Sequence, residues 1–192
     1  MTPNQSVAAL LFVPVMAVAV ATAPSQGKEG QAPPKFALDA ALVLSPEFCE
    51  TKFTKGSTMS GKETFEVGKA ACESLEPALK TAFSNLARVD AESASGSAQV
   101  VLLPRFVDVG ATRTVGAFSD RELIVLVEWT AKDAQARTVW IATVQGAAKR
   151  NMGNVFTAGK NRRRIVEDSL KDLAKQSAAK MLAAQEIRDL VR

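Results

Sequence analysis

The chain has 192 residues, of which 47% are hydrophobic and 23% charged, a balance that fits one folded domain and excludes global disorder. It contains no histidine and no tyrosine, which removes Ser-His-Asp and Cys-His mechanisms and histidine-built zinc sites while leaving carboxylate or lysine chemistry open. The net charge of +4 says little by itself, because the placement of the charges decides what they attract.

Residues 1–27 carry no charged side chain, and 7–23 read VAALLFVPVMAVAVATA. The length and the small residues that follow match a secretory h-region and its cleavage site, with Ala19-Val20-Ala21 as the A-x-A signal. The segment is short for a membrane span, and Pro14 weakens it as a helix. Residues 1–21 are therefore expected to be an export signal. An uncleaved inner-membrane tether is the other reading. Residues 22–35, rich in Gly, Pro and polar side chains, read as a flexible linker, and 36–192 as a single domain.

Within that domain, 36–45 (FALDAALVLS) is expected to be a strand and the polar stretch 45–63 a loop. A helix is expected between 64 and 89, where Gly68, Ala71, Cys72, Leu75, Leu79, Ala82, Phe83 and Leu86 recur at three- and four-residue intervals. Pro77 should kink or divide it. Strands follow at 98–109, with Pro104 marking a bulge or an edge, and at 122–131 (ELIVLVEWTA), apolar on both faces and so expected to be central. The next strand, 137–145, forms a hairpin with it across a short connection, which makes Trp129 and Trp140 candidate cross-strand neighbours. A loop at 146–159 leads to a last helix at 161–184. The order is β-α-β-β-β-α. The fold expected is an α+β two-layer sandwich with a mostly antiparallel four-stranded sheet and two helices on one face.

Cys49 and Cys72 are the only cysteines, and in an exported chain they most simply form one disulfide. The alternative is two unpaired thiols, with Cys72 buried as a small apolar residue. Gly56 to Lys62 matches GxxxxGK, but Glu63 stands where a phosphate-binding loop needs Ser or Thr, and no strand immediately precedes the motif. Ser60-Gly61-Lys62-Glu63 can equally be a capping box that opens the helix. Glu128 lies inside a strand, where it faces solvent or pairs with Lys132 or Arg137. Phe156 stands between two glycines and is either a partner anchor or tucked under its loop.

Lys149, Arg150, Lys160, Arg162, Arg163 and Arg164 fall in a stretch with no acid between Asp133 and Glu167, and without them the chain would carry more acidic than basic residues. Three arginines at a helix start oppose the macrodipole, an arrangement that becomes favourable if an anion docks there. The alternative is a solvated surface whose arginines pair with acids such as Glu167 and Asp168.

The strand FALDAALVLS, the helix FEVGKAACESLEPALKTAF, the strand VVLLPRFVDV, the hairpin LIVLVEWTAKDAQARTVWIATVQGAAK and the helix RIVEDSLKDLAKQSAAKML together resemble small bacterial envelope domains. These are the lipopolysaccharide-assembly lipoprotein that plugs an outer-membrane barrel, and related periplasmic lipoproteins of transport and secretion systems. The resemblance spans residues 36–184 and rests on element order and strand character. The chain departs from those proteins in having no cysteine close after its export segment. The resemblance implies a scaffold or binding role, without catalysis.

The expectation is thus an exported, periplasmic envelope accessory protein. It would bind an envelope protein partner or an anionic lipid through Lys149, Arg150, Lys160, Arg162, Arg163 and Arg164. It would have peripheral or tethered membrane association, no nucleic acid, no cofactor, no metal and no catalytic residue. The competing readings are a nucleic-acid module using the same basic cluster, which conflicts with export, and a carboxylate-based enzyme, which needs two acids converging in a cleft.

Overall fold

Apolar residues at alternate positions, Phe36, Leu38, Ala40 and Leu42, build β1 (Phe36–Val43) and bury one of its faces almost completely. The computed structural model describes residues 34–57, 61–113, 120–151 and 155–191, so the expected export segment and the expected linker up to residue 33 lie outside the described residues. After β1 come α1 (Pro46–Cys49), β2 (Phe53–Ser57), β3 (Gly61–Phe65), α2 (Val67–Leu79), β4 (Phe83–Val89), a 3-10 turn (Glu92–Ala94), β5 (Val100–Arg113), β6 (Asp120–Asp133), β7 (Thr138–Asn151), α3 (Val155–Ala183) and α4 (Gln185–Asp189).

The main sheet has five strands in the order β4-β1-β5-β6-β7, and β2 and β3 pair as a separate ribbon. This corrects the expected four-stranded, mostly antiparallel sheet. β1 runs parallel to both β4 and β5, while β5, β6 and β7 form an antiparallel meander, so the sheet is mixed. Four described helices replace the expected two.

The difference arises at two places. The expected loop 45–63 holds α1, started by Pro46 at a first-turn position and by Ser45, whose Oγ accepts from the Phe48 N–H at 3.2 Å. It also holds the ribbon, where Phe53 faces Phe65 and the hydroxyls of Thr54 and Thr64 bond at 2.9 Å. The expected long helix ends at Leu79, with Pro77 in its last turn, and the remaining residues form β4. β4 is an edge strand. Its buried or half-buried residues are Phe83, Leu86 and Val89, a spacing of three that imitates a helix.

The return from β4 to the parallel β5 must cross the sheet. Residues 90–99 do so, and Lys132 Nζ on β6 reaches Glu92 in this crossing at 2.7 Å.

The hairpin stands as expected but longer. β6 alternates strictly, with Leu123, Val125, Val127, Trp129 and Ala131 buried toward the helices. It lies between β5 and β7. Trp129 sits opposite Ala142, and Trp140 opposite Ala131, so the two tryptophans are diagonal rather than direct neighbours. Asp133 closes the turn. Its carboxylate accepts from the Gln135 and Arg137 N–H groups, both at 2.9 Å, and pairs with the Arg137 guanidinium, which holds the carboxyl below its usual range.

α3 lies along the edge strand β7 and covers that edge. Asn161 donates to the Asn151 carbonyl at 3.2 Å, Asp172 accepts from the Ala147 N–H at 3.0 Å, and Lys180 donates to the Thr143 carbonyl at 2.9 Å. An edge so occupied is poorly available for pairing with another chain.

Cys49 and Cys72 form a disulfide with a Cα separation of 5.7 Å. The end of α1 presses on α2 at Gly68, where an added Cβ would come within 2.3 Å of the Phe48 carbonyl oxygen. Gly68 lies one turn before Cys72, so this close approach also brings the two sulfurs together. The closed loop holds the whole ribbon. Opening it by Cys72→Ser, or by reduction, is expected to cost about 3 kcal/mol in the chain-entropy account. Equilibrium denaturation with and without reductant checks this, and an unchanged midpoint would refute it.

Candidate functional site

The six basic residues of the sequence cluster do not act as one group. Lys149 and Arg150 stand on β7, and the other four stand on α3. α3 begins at Val155, so Arg162, Arg163 and Arg164 lie about two turns inside it. The expected placement of three arginines at a helix start is therefore corrected, and the macrodipole argument falls with it, because that field fades within the first turn.

Four of the six are engaged with acids. Lys149 pairs with Asp120 at 3.3 Å, Arg150 with Asp168, Arg162 with Glu63 at 2.7 Å and Arg163 with Glu167 at 2.9 Å. Lys149, aided by Asn151, holds the Asp120 carboxyl below its usual range. Lys160 and Arg164 are exposed, and neither has an ion pair with a described residue.

Two residues that the sequence reading omitted continue their line. Lys171 and Lys175 are exposed on α3 without a described acid partner. Lys160, Arg164, Lys171 and Lys175 are spaced four, seven and four apart, which places them on one side of the helix over about 22 Å. The acids of this part of α3 are drawn elsewhere. Asp168 and Asp172 turn to β7, and Glu167 holds Arg163. Two of the three carboxylates thus turn to β7, the third is taken by Arg163, and the four cations are left to solvent. The heptad spacing of the four cations was the available signal.

The structure also recruits Arg121, which carries no signal in the sequence, and Glu63, which the sequence reading weighs only as part of GxxxxGK and of a capping box. Glu63 sits on the ribbon and pairs with both Arg121 and Arg162. Beside it lies a cleft of about 290 Å³, lined by residues including Phe65, Glu66, Lys69, Glu73, Arg162 and Arg163. Its charges are mixed.

The remaining candidates resolve simply. Gly56 and Lys62 face each other across the ribbon, so GxxxxGK here is part of a hairpin rather than a strand–loop–helix phosphate cradle, and Thr58, Met59 and Ser60 lie outside the described residues. The helix that follows has Glu66 at its N-cap position, with no side-chain capping bond, so Ser60 to Glu63 do not form a capping box. Glu128 pairs with Arg105 across the sheet at 2.8 Å rather than with Lys132 or Arg137. Phe156 belongs to the first turn of α3, and its side chain lies outside the described residues. No three His, Cys, Asp or Glu side chains gather to hold a metal among the described residues. No described helix is long and apolar enough to cross a membrane.

Fold and site together define a mixed α/β domain with a cationic helix face. No protein-family model matches the chain, and no curated protein matches it in sequence. Among solved structures, the chain is similar to a Xanthomonas campestris protein of the DUF330 family, with a TM-score of 0.52 at 8% identity, covering 80% of this chain and 92% of that one. It is also similar to a minor lipoprotein from Acinetobacter baumannii, with a TM-score of 0.48 at 14% identity over 78% of this chain and 94% of that one. A third likeness is to a candidate lipoprotein from Caulobacter crescentus, with a TM-score of 0.45 at 17% identity over 60% of this chain and 80% of that one. The first of these bears on the fold alone.

Proposed function

We propose that the protein is an exported, non-enzymatic accessory protein of a bacterial envelope that rests against an anionic lipid surface through α3. The observation that carries this reading is the line of Lys160, Arg164, Lys171 and Lys175, four exposed cations on one helix side, none of them ion-paired with a described acid. Export is supported by the uncharged apolar segment at 7–23 and by the disulfide, a bond that persists in oxidising compartments. A row of ammonium and guanidinium groups about 22 Å long suits a flat field of headgroups better than a single small ligand. Lys149, Arg150, Arg162 and Arg163 stay with their acids and contribute less, because a paired cation attracts a distant anion weakly.

The test is co-sedimentation of the full chain with phosphatidylcholine vesicles, with and without phosphatidylglycerol. The readout is the ratio of anionic to neutral binding, which cancels any contribution of the apolar segment. At about 1 kcal/mol per cation near the surface, replacing the four residues with serine should lower this ratio on the order of 100-fold or more, and salt should lower it in the native chain. A ratio unmoved by the substitutions or by salt would reject the reading. Retained binding to an acidic protein alone would transfer the face to a protein partner.

A further inference from the structure

Three arginines stand abreast in the sheet. Arg113 on β5 faces Arg121 on β6, and Arg121 faces Arg150 on β7. Like charges directly opposite each other destabilise a sheet, so the Arg121–Arg150 pair requires neutralisation. Arg121 belongs to the alternating set of β6 that faces the helices, and its side chain is only 12% exposed. Arg150 also turns to the helix side, where it meets Asp168 of α3. Arg162 enters from α3 and shares the Glu63 carboxylate with Arg121. Glu63 itself is 18% exposed.

The neutralisation is incomplete in two respects. Arg121, Arg150 and Arg162 meet two carboxylates, Glu63 and Asp168. In addition, the Nε atoms of Arg121 and of Arg150 are both buried with no acceptor among the described residues, and these orphaned donors belong to cross-strand partners. Buried donors are normally satisfied, and two on cross-strand neighbours mark acceptor positions left unfilled.

We propose that this end of the sheet is a binding site for a phosphate group, held by Arg121, Arg150 and Arg162, and that Glu63 is its built-in occupant. A phosphate dianion carries more charge and more acceptor oxygens than one carboxylate, and guanidinium forks match it in plane. Glu63 arrives on the ribbon, which is separate from the main sheet. The ribbon is further held by the Lys55–Asp108 pair at 3.0 Å, by contact of the Phe53 ring with Phe106, and by the disulfide at its base. An incoming phosphate therefore competes with the Glu63 carboxylate for Arg121 and Arg162. None of the four cations on the outer side of α3 takes part, so this site and the lipid-facing reading stand or fall separately.

The test removes the occupant. Glu63→Ala is expected to lower the Tm of the full chain. Inorganic phosphate should then raise the Tm of this variant more than that of the native chain, while chloride at equal ionic strength should not. Adding Arg121→Gln to Glu63→Ala should abolish the phosphate effect. Equal action of phosphate and chloride on Glu63→Ala, or a phosphate effect that survives Arg121→Gln, would overturn the proposal. Should Glu63→Ala not fold, the near-isosteric Glu63→Gln serves in a direct titration. If the native carboxylate leaves the site open about one-tenth of the time, this variant should bind inorganic phosphate about tenfold more tightly than the native chain. Equal affinity would overturn the assignment of Glu63.

The source of the phosphate is read with phosphatidic acid vesicles, in the background where Lys160, Arg164, Lys171 and Lys175 are serine. Vesicle binding that is lost on Arg121→Gln supports a headgroup phosphate. Vesicle binding indifferent to that change, with inorganic phosphate bound only while Arg121 is intact, supports a soluble one.

Discussion

Alanine at Gly146 is expected to destabilise the protein by at least about 3 kcal/mol, whereas alanine at Gly110 should change its stability little or raise it slightly. Gly146 lies on β7 opposite Val125, facing α3. A Cβ built there would come within 2.3 Å of the Ser169 carbonyl oxygen, 2.5 Å of the Leu173 Cβ and 2.6 Å of the Leu173 amide nitrogen. Two of these are backbone atoms of a helix and cannot rotate aside. Ordinary contact needs about 3.5–4.0 Å, so α3 would have to retreat by about 1 Å.

That retreat would stretch the bonds along the β7 edge, from Asp172 to the Ala147 N–H and from Lys180 to the Thr143 carbonyl. At Gly110 the nearest atom is the Ile124 Cβ at 4.0 Å, so the methyl group enters open space. Equilibrium denaturation of both variants separates steric cost from the general effect of replacing glycine. A Gly146→Ala protein as stable as the native one would show that α3 does not sit this close to β7. The same variant should also aggregate more readily, since a lifted helix uncovers a strand edge.

How far the sequence reveals this architecture depends on the range of the interaction concerned. The β6–β7 hairpin is legible because its signal is local: a run rich in branched and aromatic apolar residues on each side of a short polar turn. The disulfide is legible because two cysteines in a chain that reads as exported have few other uses. β4 is not legible, because an edge strand buries few residues, and Phe83, Leu86 and Val89 happen to carry helical spacing. Its parallel pairing with β1 leaves no local trace at all.

The candidate sites follow the same division. Lys160, Arg164, Lys171 and Lys175 form a helical pattern that can be counted along the chain, although two of them fall outside the conspicuous cluster. Arg113, Arg121 and Arg150 are brought abreast only by strand register, and Glu63 joins them from a ribbon that reads as a polar loop. The conspicuous triplet Arg162, Arg163 and Arg164 misleads for a related reason. Its three members face three surroundings: Arg162 meets the ribbon, Arg163 its own helix, and Arg164 solvent.

Truncation of Trp129 should have an effect of similar or greater size. Trp129 is fully buried on β6, and its indole N–H donates to the Ser177 hydroxyl of α3 at 2.9 Å. Trp129→Ala removes the largest side chain of the core and leaves a cavity between sheet and helix, a loss expected at about 3–5 kcal/mol. Against the total stability of about 5–15 kcal/mol that is usual for a single domain, this is enough to unfold a large fraction of the chain at physiological temperature.

Trp129→Phe keeps much of the packing but leaves Ser177, itself fully buried, without its donor. Its cost should be smaller, at about 1–3 kcal/mol. Adding Ser177→Ala to Trp129→Phe removes the stranded hydroxyl and should recover part of that loss, since replacing both partners of a buried bond by apolar groups is far less costly than removing one. Denaturation midpoints of the four proteins in this cycle measure the coupling directly. Strict additivity of the two substitutions would mean that the bond contributes nothing, and that Trp129 acts through volume alone.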